Sequence, residues 1–373
     1  MPSVSKILHV LTDHNVGGAG VFLCRLLSHP ILKEGSLVLL PTGSLLCASL
    51  SAQGISYATF PMKKSRSFSP SSVVFFRDFF KETPPRLVVS HASLSARIAA
   101  KSLRLPAISV RHCDTPLSRF PAFLYNALTD LTVATSQSAA ARLREAGVRE
   151  VRTVENAAED VGVPTAEMRK RARKDFGIPD GKTAIGLVGR LSPIKGQETA
   201  ILALSLLAKQ EQEKILLCFL GEGEERERLS DTAARLAVAH AVRFCGYRED
   251  VRPFYHAMDA HLSCSLGSET ASLSLGEGLS AALPTLASDI PGNRERLGDG
   301  GLFFSAGDAA ALSRLFRRLL DSGERARLSS LARRRFSSLP ILSDMQAAYC
   351  AIFDEFSREL GQNGCIFQKD MLQ

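Results

Sequence analysis

Two doubly wound α/β domains, each built on a parallel sheet, are predicted for this chain by three observations. Its 373 residues suffice for two domains at roughly 100–200 residues each. Short, wholly apolar runs alternate with helix-length stretches, and a strand without polar alternation belongs in a parallel sheet covered on both faces. That alternation occurs twice along the chain. Hydrophobic residues make up 45% and charged residues 23%, an ordinary globular balance that allows two buried cores.

In the first half the strand-like runs are 6–11, 37–41, 87–91, 107–111 and 131–135, with helices expected at 20–28 and 136–146. The stretch 156–180 holds Pro164, Pro179, the basic run Arg169–Lys174 and the turn Pro179-Asp180-Gly181. It reads as the junction. Beyond it, strands are expected at 184–189, 215–220, 242–245, 260–263, 285–287 and 302–304, and helices at 196–210, 224–238 and 308–321. The first domain is placed at 1–160 and the second at 161–343. Residues 344–360 pattern as an amphipathic helix expected to pack back on the first domain, and 361–373 as a polar tail.

Composition narrows the function classes. The opening M-P-S-V-S-K-I-L-H-V-L lacks a signal-peptide layout. No stretch reaches the ~18–20 apolar residues that cross a bilayer. A cytoplasmic protein is expected, at most peripheral on the inner face of a membrane. Eight cysteines are present without a C-x-x-C pair, which reads as reduced, buried thiols and not as a disulfide frame or zinc site. The net charge of +8 is uneven. Residues 1–150 hold 17 Lys and Arg against 8 Asp and Glu, a net of +9, and the remainder holds 29 against 30, a net of −1. Such asymmetry points the first half at something anionic: lipid head groups, a phosphorylated acceptor or nucleic acid.

Five constellations could carry chemistry. In A-I-G-L-V-G-R-L-S-P-I-K-G, residues 184–196, a strand ends at Gly189 and Arg190 and Lys195 follow before a helix. Ligands of open α/β sheets sit beyond the carboxyl ends of strands, and two cations there could clamp a diphosphate. A surface loop with solvated cations is the competing reading. In S-E-T-A-S-L-S-L-G-E-G, residues 268–278, Thr270 and Ser272 pattern as a helix mouth, with Glu269 at it and Glu277 about two turns in. Carboxylates accept hydrogen bonds from paired sugar hydroxyls. For the pair in isolation, a capping Glu269 and an ordinary exposed Glu277 are the favoured reading.

The loop T-D-H-N-V-G-G-A-G, residues 12–20, offers close backbone approach at Gly17 and Gly18. Its spacing is not G-x-G-x-x-G, so it is a weak signal by itself. His112 follows a strand in S-V-R-H-C-D and reads either as a cleft residue or as a structural histidine. Finally, residues 63–86 interleave Lys63, Lys64 and Arg66 with Phe68, Phe75, Phe76, Phe79 and Phe80. Rings inserted at a bilayer interface with cations on anionic heads would use this pattern; so would a core-packing helix with a solvated edge. D-x-D, H-E-x-x-H, G-x-x-x-x-G-K-[ST] and G-x-S-x-G are all missing from the sequence, so metal-dependent transfer, metalloprotease, nucleoside-triphosphatase and serine-hydrolase readings lack their signals.

The set as a whole resembles family 4 glycosyltransferases of the GT-B fold, two Rossmann-like domains facing across a cleft. The resemblance rests on Gly17-Gly18, V-G-R-L-S-P-I-K-G at 188–196, L-G-E-G-E-E-R-E-R-L at 220–229, F-C-G-Y-R-E-D-V at 244–251, the Glu269/Glu277 pair and L-P-T-L-A-S-D-I-P-G at 283–292. It implies a donor-diphosphate clamp of Arg190 and Lys195, with Glu277 holding the ribose hydroxyls and Glu269 addressing the transferred sugar. It further implies backbone approach to the donor at Ser272 and Leu273, Gly18 near the diphosphate, and His112 against the donor sugar. Thr270-Ala271-Ser272 stands where many relatives carry Gly-Phe-Gly, which resembles a subgroup associated with bacterial surface polysaccharide. The chain also reads Asn156-Ala157 where many relatives have Asn-Gly.

The expectation is therefore a retaining, metal-independent hexosyltransferase-type enzyme of cell-surface polysaccharide synthesis. It would use a nucleotide-diphosphate sugar as co-substrate, no further cofactor, and a glycan or lipid-linked acceptor at an anionic membrane surface, not nucleic acid. A nucleotide-sugar 2-epimerase of the same fold and a non-catalytic, membrane-docked sugar-nucleotide binder remain the alternatives.

Overall fold

A computed structural model describes residues 6–359 except Val16, Asp114, Ser268 and Ala271. The expected tail at 361–373 and Cys365 lie outside the described residues. The chain divides into two units, one running to Asn156 and resuming at Pro340, the other spanning Ala157–Leu339.

The first unit runs β1 (Ile7–Leu11), α1 (Gly18–Leu26), α2 (Pro30–Glu34), β2 (Ser36–Pro41), α3 (Leu46–Ala52), β3 (Tyr57–Phe60), α4 (Pro70–Glu82) and β4 (Leu87–His91). It continues α5 (Leu94–Ser102), β5 (Ala107–Arg111), α6 (Arg119–Leu128), β6 (Leu131–Ala134), α7 (Gln137–Glu145) and β7 (Val151–Thr153). The second runs α8 (Ala166–Asp175), β8 (Thr183–Val188), α9 (Gln197–Ser205), α10 (Lys209–Gln212), β9 (Ile215–Leu220), α11 (Arg226–Arg235), β10 (Val242–Phe244) and α12 (Arg252–Ala257). Then come β11 (Ala260–Ser263), α13 (Leu273–Ser280), β12 (Thr285–Ser288), α14 (Pro291–Leu297), β13 (Gly301–Phe304), α15 (Ala309–Arg318) and α16 (Ser322–Ser337). The last helix, α17 (Leu342–Glu359), belongs to the first unit. There Gln346 donates to the carbonyl of Arg25 at 2.9 Å.

All strand pairs are parallel, in the orders β3-β2-β1-β4-β5-β6-β7 and β10-β9-β8-β11-β12-β13. These are the two doubly wound parallel sheets that the sequence predicts. The central strands are buried along their whole length, as apolar runs covered on both faces must be. Helices start where a short polar side chain meets the first free amides: Ser93 accepts from Ala96, Ser136 from Ala139, Asp308 from Ala311 and Asp321 from Glu324.

Several expectations need correction. The stretch 156–180 is not merely a linker, because its basic run forms α8. Arg169 and Arg173, one turn apart, grip the two carboxylate oxygens of Asp259 at 2.6 and 2.9 Å. The helix expected at 196–210 breaks into α9 and α10. The edge strands β3 and β7 add to the expected set. Helix α4 turns its Phe76 and Phe80 rings into the core, both essentially inaccessible. They pack in line with each other, and Phe76 sits edge-on to Phe60 at 4.9 Å. Phe75 and Phe79 are half-buried against the same core. The amphipathic period of α4 thus serves the interior, and these rings are withdrawn as bilayer anchors. Lys63, Lys64, Arg66 and Phe68, in the loop before α4, remain exposed. Among the described residues, no helix is long and apolar enough to cross a membrane.

Candidate active site

In an open parallel sheet the connections leave in opposite directions at one point of the strand order, opening a crevice beyond the strand ends. In the second unit that point lies between β8 and β11. The loop after β8 carries Arg190 and Lys195, and the loop after β11 carries Glu269.

The two loops meet. Lys195 forms an ion pair with Glu269, and Ser265 donates to the same carboxylate at 3.0 Å. The geometry depends on Gly196, which turns the chain at φ +63° and leaves no room for a side chain: a Cβ there would sit 2.2 Å from the carbonyl oxygen of Cys264. An amide of Leu266 donates to the carbonyl of Ile194 at 2.8 Å, pinning loop to loop. The Glu269 backbone is set from its other side by Gly292 at the start of α14, where a Cβ would lie 2.0 Å from the Glu269 carbonyl oxygen. Behind it runs a buried polar chain: Asn293 donates to Ser288, and Ser288 to the carbonyl of Ser265 at 2.6 Å.

Arg190 projects into solvent and pairs with Glu224 of the loop after β9 at 2.9 Å. The Glu224 carboxyl is held below its ordinary range by a backbone amide and then by Arg190. Both partners are about half exposed, and such pairs contribute only about 0–1 kcal/mol. The guanidinium is therefore cheap to redirect toward another anion.

Helix α13 begins after Ser272, whose hydroxyl accepts from the amide of Leu275. Leu273 is its first residue, so the helix mouth stands immediately after Glu269 and Thr270. Glu277 lies little more than one turn in, not two, and is buried, not exposed. Tyr255 of α12 donates to its carboxylate at 2.8 Å. A carboxylate in that setting must be hydrogen-bonded to be tolerated.

In the first unit the corresponding crossover point lies between β1 and β4. Gly18 heads α1 there and is exposed, with nothing within 4 Å of where a Cβ would be. His112, just past β5, is half-buried and hydrogen-bonds through Nε2 to Nδ1 of His91 at 2.9 Å. Burial pushes its pKa down to about 4.

Lys195 and Glu269 are thus brought into contact, and Arg190 stands at the same strand-end edge of the sheet. Glu277 enters from the helix above that edge. Gly18 and His112 belong to the other unit. The structure adds Ser265, Tyr255 and Glu224 as direct partners of the expected residues, and His91 as the partner of His112. Ser265, four residues before Glu269, was within reach of the sequence. Glu224 lies within the motif at 220–229, though nothing there marked it as the partner of Arg190, and Tyr255 carries no local signal. Among the described residues, no cluster of three or more His, Cys, Asp or Glu side chains could hold a metal.

Comparison with known proteins agrees with this architecture. The family model described as Glycosyltransferase Family 4 matches residues 38–160, and that described as Glycosyl transferases group 1 matches 168–335. The lipopolysaccharide core biosynthesis glycosyltransferase LpsE of Rhizobium meliloti is 30% identical over 205 residues, 54% of this chain and 57% of that protein. LpsD of the same organism is 30% identical over 223 residues, 58% of this chain and 61% of that protein. The matched region thus spans little more than half the length of these relatives. The crystal structure of Anabaena HepE in complex with UDP-glucose aligns with a TM-score of 0.82 at 20% identity. That alignment covers 96% of this chain and all of that one.

Proposed function

The chain belongs to the family 4 glycosyltransferases, and from that premise we propose that it moves a sugar from a nucleotide-diphosphate donor to a glycan or lipid-linked acceptor in surface-polysaccharide synthesis. One observation carries the reading. Lys195 and Glu269 pair across the loops beyond β8 and β11, next in the chain to the mouth of α13, and Arg190 stands on the first of those loops. The lipopolysaccharide relatives favour a polysaccharide product, and HepE was crystallised with UDP-glucose.

On this reading Arg190 and Lys195 take the diphosphate, and amides at Ser272 and Leu273 donate to it. Glu277 accepts from the ribose hydroxyls and Glu269 addresses the sugar. Both cations have anionic partners in the free chain, so donor binding exchanges Glu224 and Glu269 for phosphate oxygens. The freed Glu269 carboxylate then faces the sugar. As the bond between the anomeric carbon and the phosphate oxygen breaks, the two cations balance the departing charge. The acceptor oxygen bonds to the anomeric carbon on the same face. Its proton passes to the leaving phosphate, so configuration is retained and no metal is required. Gly18 and His112 would supply the further donor contacts that the family resemblance implies.

Two experiments test this. UDP-glucose and other nucleotide sugars should raise the melting temperature, the stabilisation approaching about 2.7 kcal/mol at a hundredfold excess over Kd. Arg190→Ala should slow transfer by roughly 10²–10³-fold, the scale of a lost oxyanion donor, and leave the melt unchanged. No shift with any nucleotide sugar, together with undiminished transfer by the variant, would reject the clamp. We also propose peripheral docking at the cytoplasmic face of a membrane through Lys63, Lys64 and Arg66. Vesicles rich in phosphatidylglycerol should float the protein at low salt and release it near 0.5 M salt. Reversing the three charges should abolish flotation; binding that ignores both salt and the charge reversal would remove the claim.

A further inference from the structure

Three histidines form a continuous chain across the centre of the first sheet. Strands β1, β4 and β5 are neighbours, with Leu11 opposite His91 and His91 opposite Val110. His9 stands two residues before Leu11 and His112 two residues after Val110, so side-chain alternation puts all three on one face. They follow a diagonal that climbs toward the carboxyl-terminal edge, where ligands of such sheets bind. His9 Nδ1 lies 3.2 Å from His91 Nε2, and His91 Nδ1 lies 2.9 Å from His112 Nε2. The rings are near-parallel, with centroids 5.5 and 5.2 Å apart. Phe22 of α1 closes over His112 at 4.9 Å and Phe353 of α17 meets His9 at 5.9 Å. At the inner end, Ser36 Oγ lies 3.4 Å from His9 Nε2.

We propose that His9 and His91 are positioning residues that fix the tautomer of His112 through this chain. The inference rests on the reading of His112 as a donor-sugar contact, but its geometry does not. Burial keeps the rings neutral, and a neutral imidazole has one N–H and one bare nitrogen. Each histidine–histidine contact needs one proton. His91 must therefore donate on one side and accept on the other, and the donors all point the same way. Running outward, His9 Nδ1–H donates to His91, His91 Nδ1–H donates to His112, and the His112 proton is left on Nδ1. Running inward, His112 Nε2–H donates to His91, His91 Nε2–H to His9, and His9 Nε2–H to Ser36. In either direction all three rings carry the proton on the same-named nitrogen. The chain thus ties the role of His112 to that of the two inner rings, and a sugar hydroxyl that meets His112 finds a ring already committed to one role. Stacking on His91 and the edge-on contact with Phe22 fix the ring plane as well.

The test uses the full chain with 15N-labelled histidine. Long-range proton–nitrogen spectra at pH 7.5 should assign His9, His91 and His112 to one shared tautomer; a mixed set would overturn the proposal, and no variant is needed for that result. His91→Phe keeps a flat ring in the stack and removes both bonds. Provided its melt stays cooperative, His112 should then show both tautomers, and kcat should fall about tenfold with little change in donor KM. A single unchanged His112 tautomer in that variant, or undiminished kcat with the tautomer released, would also overturn it. If the wild-type chain transfers no sugar while the shared tautomer is seen, the proposed function fails and the histidine chain stands.

Discussion

Glu277 shows how one residue's surroundings decide between two readings. A buried carboxylate bonded to Tyr255 serves packing, yet it also stands one turn behind a helix mouth next to Glu269. The conservative variant separates these. Glu277→Gln preserves shape and an acceptor for the Tyr255 hydroxyl, so the melt should move little. Hydrogen bonds to a charged group are worth about 1.5–3 kcal/mol, so donor KM should rise at least about tenfold with kcat less affected. An unchanged KM measured in initial-rate assays would leave Glu277 a structural residue. The positions of Arg190, Lys195 and Glu269 were legible because strand ends and helix mouths have local signatures and these residues sit at them; the burial of Glu277 one turn into α13 had no such signature. Tyr255 and His91 were not legible, because each earns its partner through tertiary placement across a sheet or between helices. No spacing along the chain records that.

Element by element, the buried strands read plainly from apolar runs, and the edges did not. Strand β7 has three residues and no fully buried position, and β3 buries only Phe60, so neither has the apolar run that marks a central strand. Helix α8 failed for the opposite reason. A-E-M-R-K-R-A-R-K-D offers one buried residue, Ala172, and too little apolar surface to be recognised by period. What docks it is charge: Arg169 and Arg173 on Asp259, which also accepts from the amide of Ala184 at 2.8 Å. Asp259→Ala would leave the two guanidinium groups with backbone carbonyls alone, among them those of Met258, Pro179 and Lys182, and the Ala184 amide without its acceptor. It should cost about 2 kcal/mol, within the range for hydrogen bonds to charged groups, and make α8 the first segment to exchange amide hydrogens. Urea melts and hydrogen exchange check both, and exchange of α8 in step with the β8 core would show that its docking does not depend on the aspartate.

Across the whole molecule, both units share a dependence on histidines that burial keeps uncharged. In the first unit the pKa of His9 is pushed down to about 3 and that of His112 to about 4, and His91 is also lowered, first by burial and then by its two neighbours. In the second, His261 of β11 is pushed down to about 3 by burial. It stacks at a tilt on Tyr255, the partner of Glu277, with ring centroids 5.5 Å apart. Unfolded histidine titrates near 6.5. Between that value and the folded values, the unfolded chain binds more protons, so stability falls as the pH falls. The contribution is complete above about pH 6.5 and is lost progressively toward pH 3–4. For His261 alone, the loss between pH 7.5 and 5 should be about 2 kcal/mol, at 1.36 kcal/mol for each pH unit below 6.5. Urea midpoints measured across that range should decline in both units. His261→Phe should flatten the decline by about that amount, even if it changes the absolute stability. A slope unaltered by the substitution would mean that water reaches His261 and that the packing of β11 against α13 is looser than its buried ring implies.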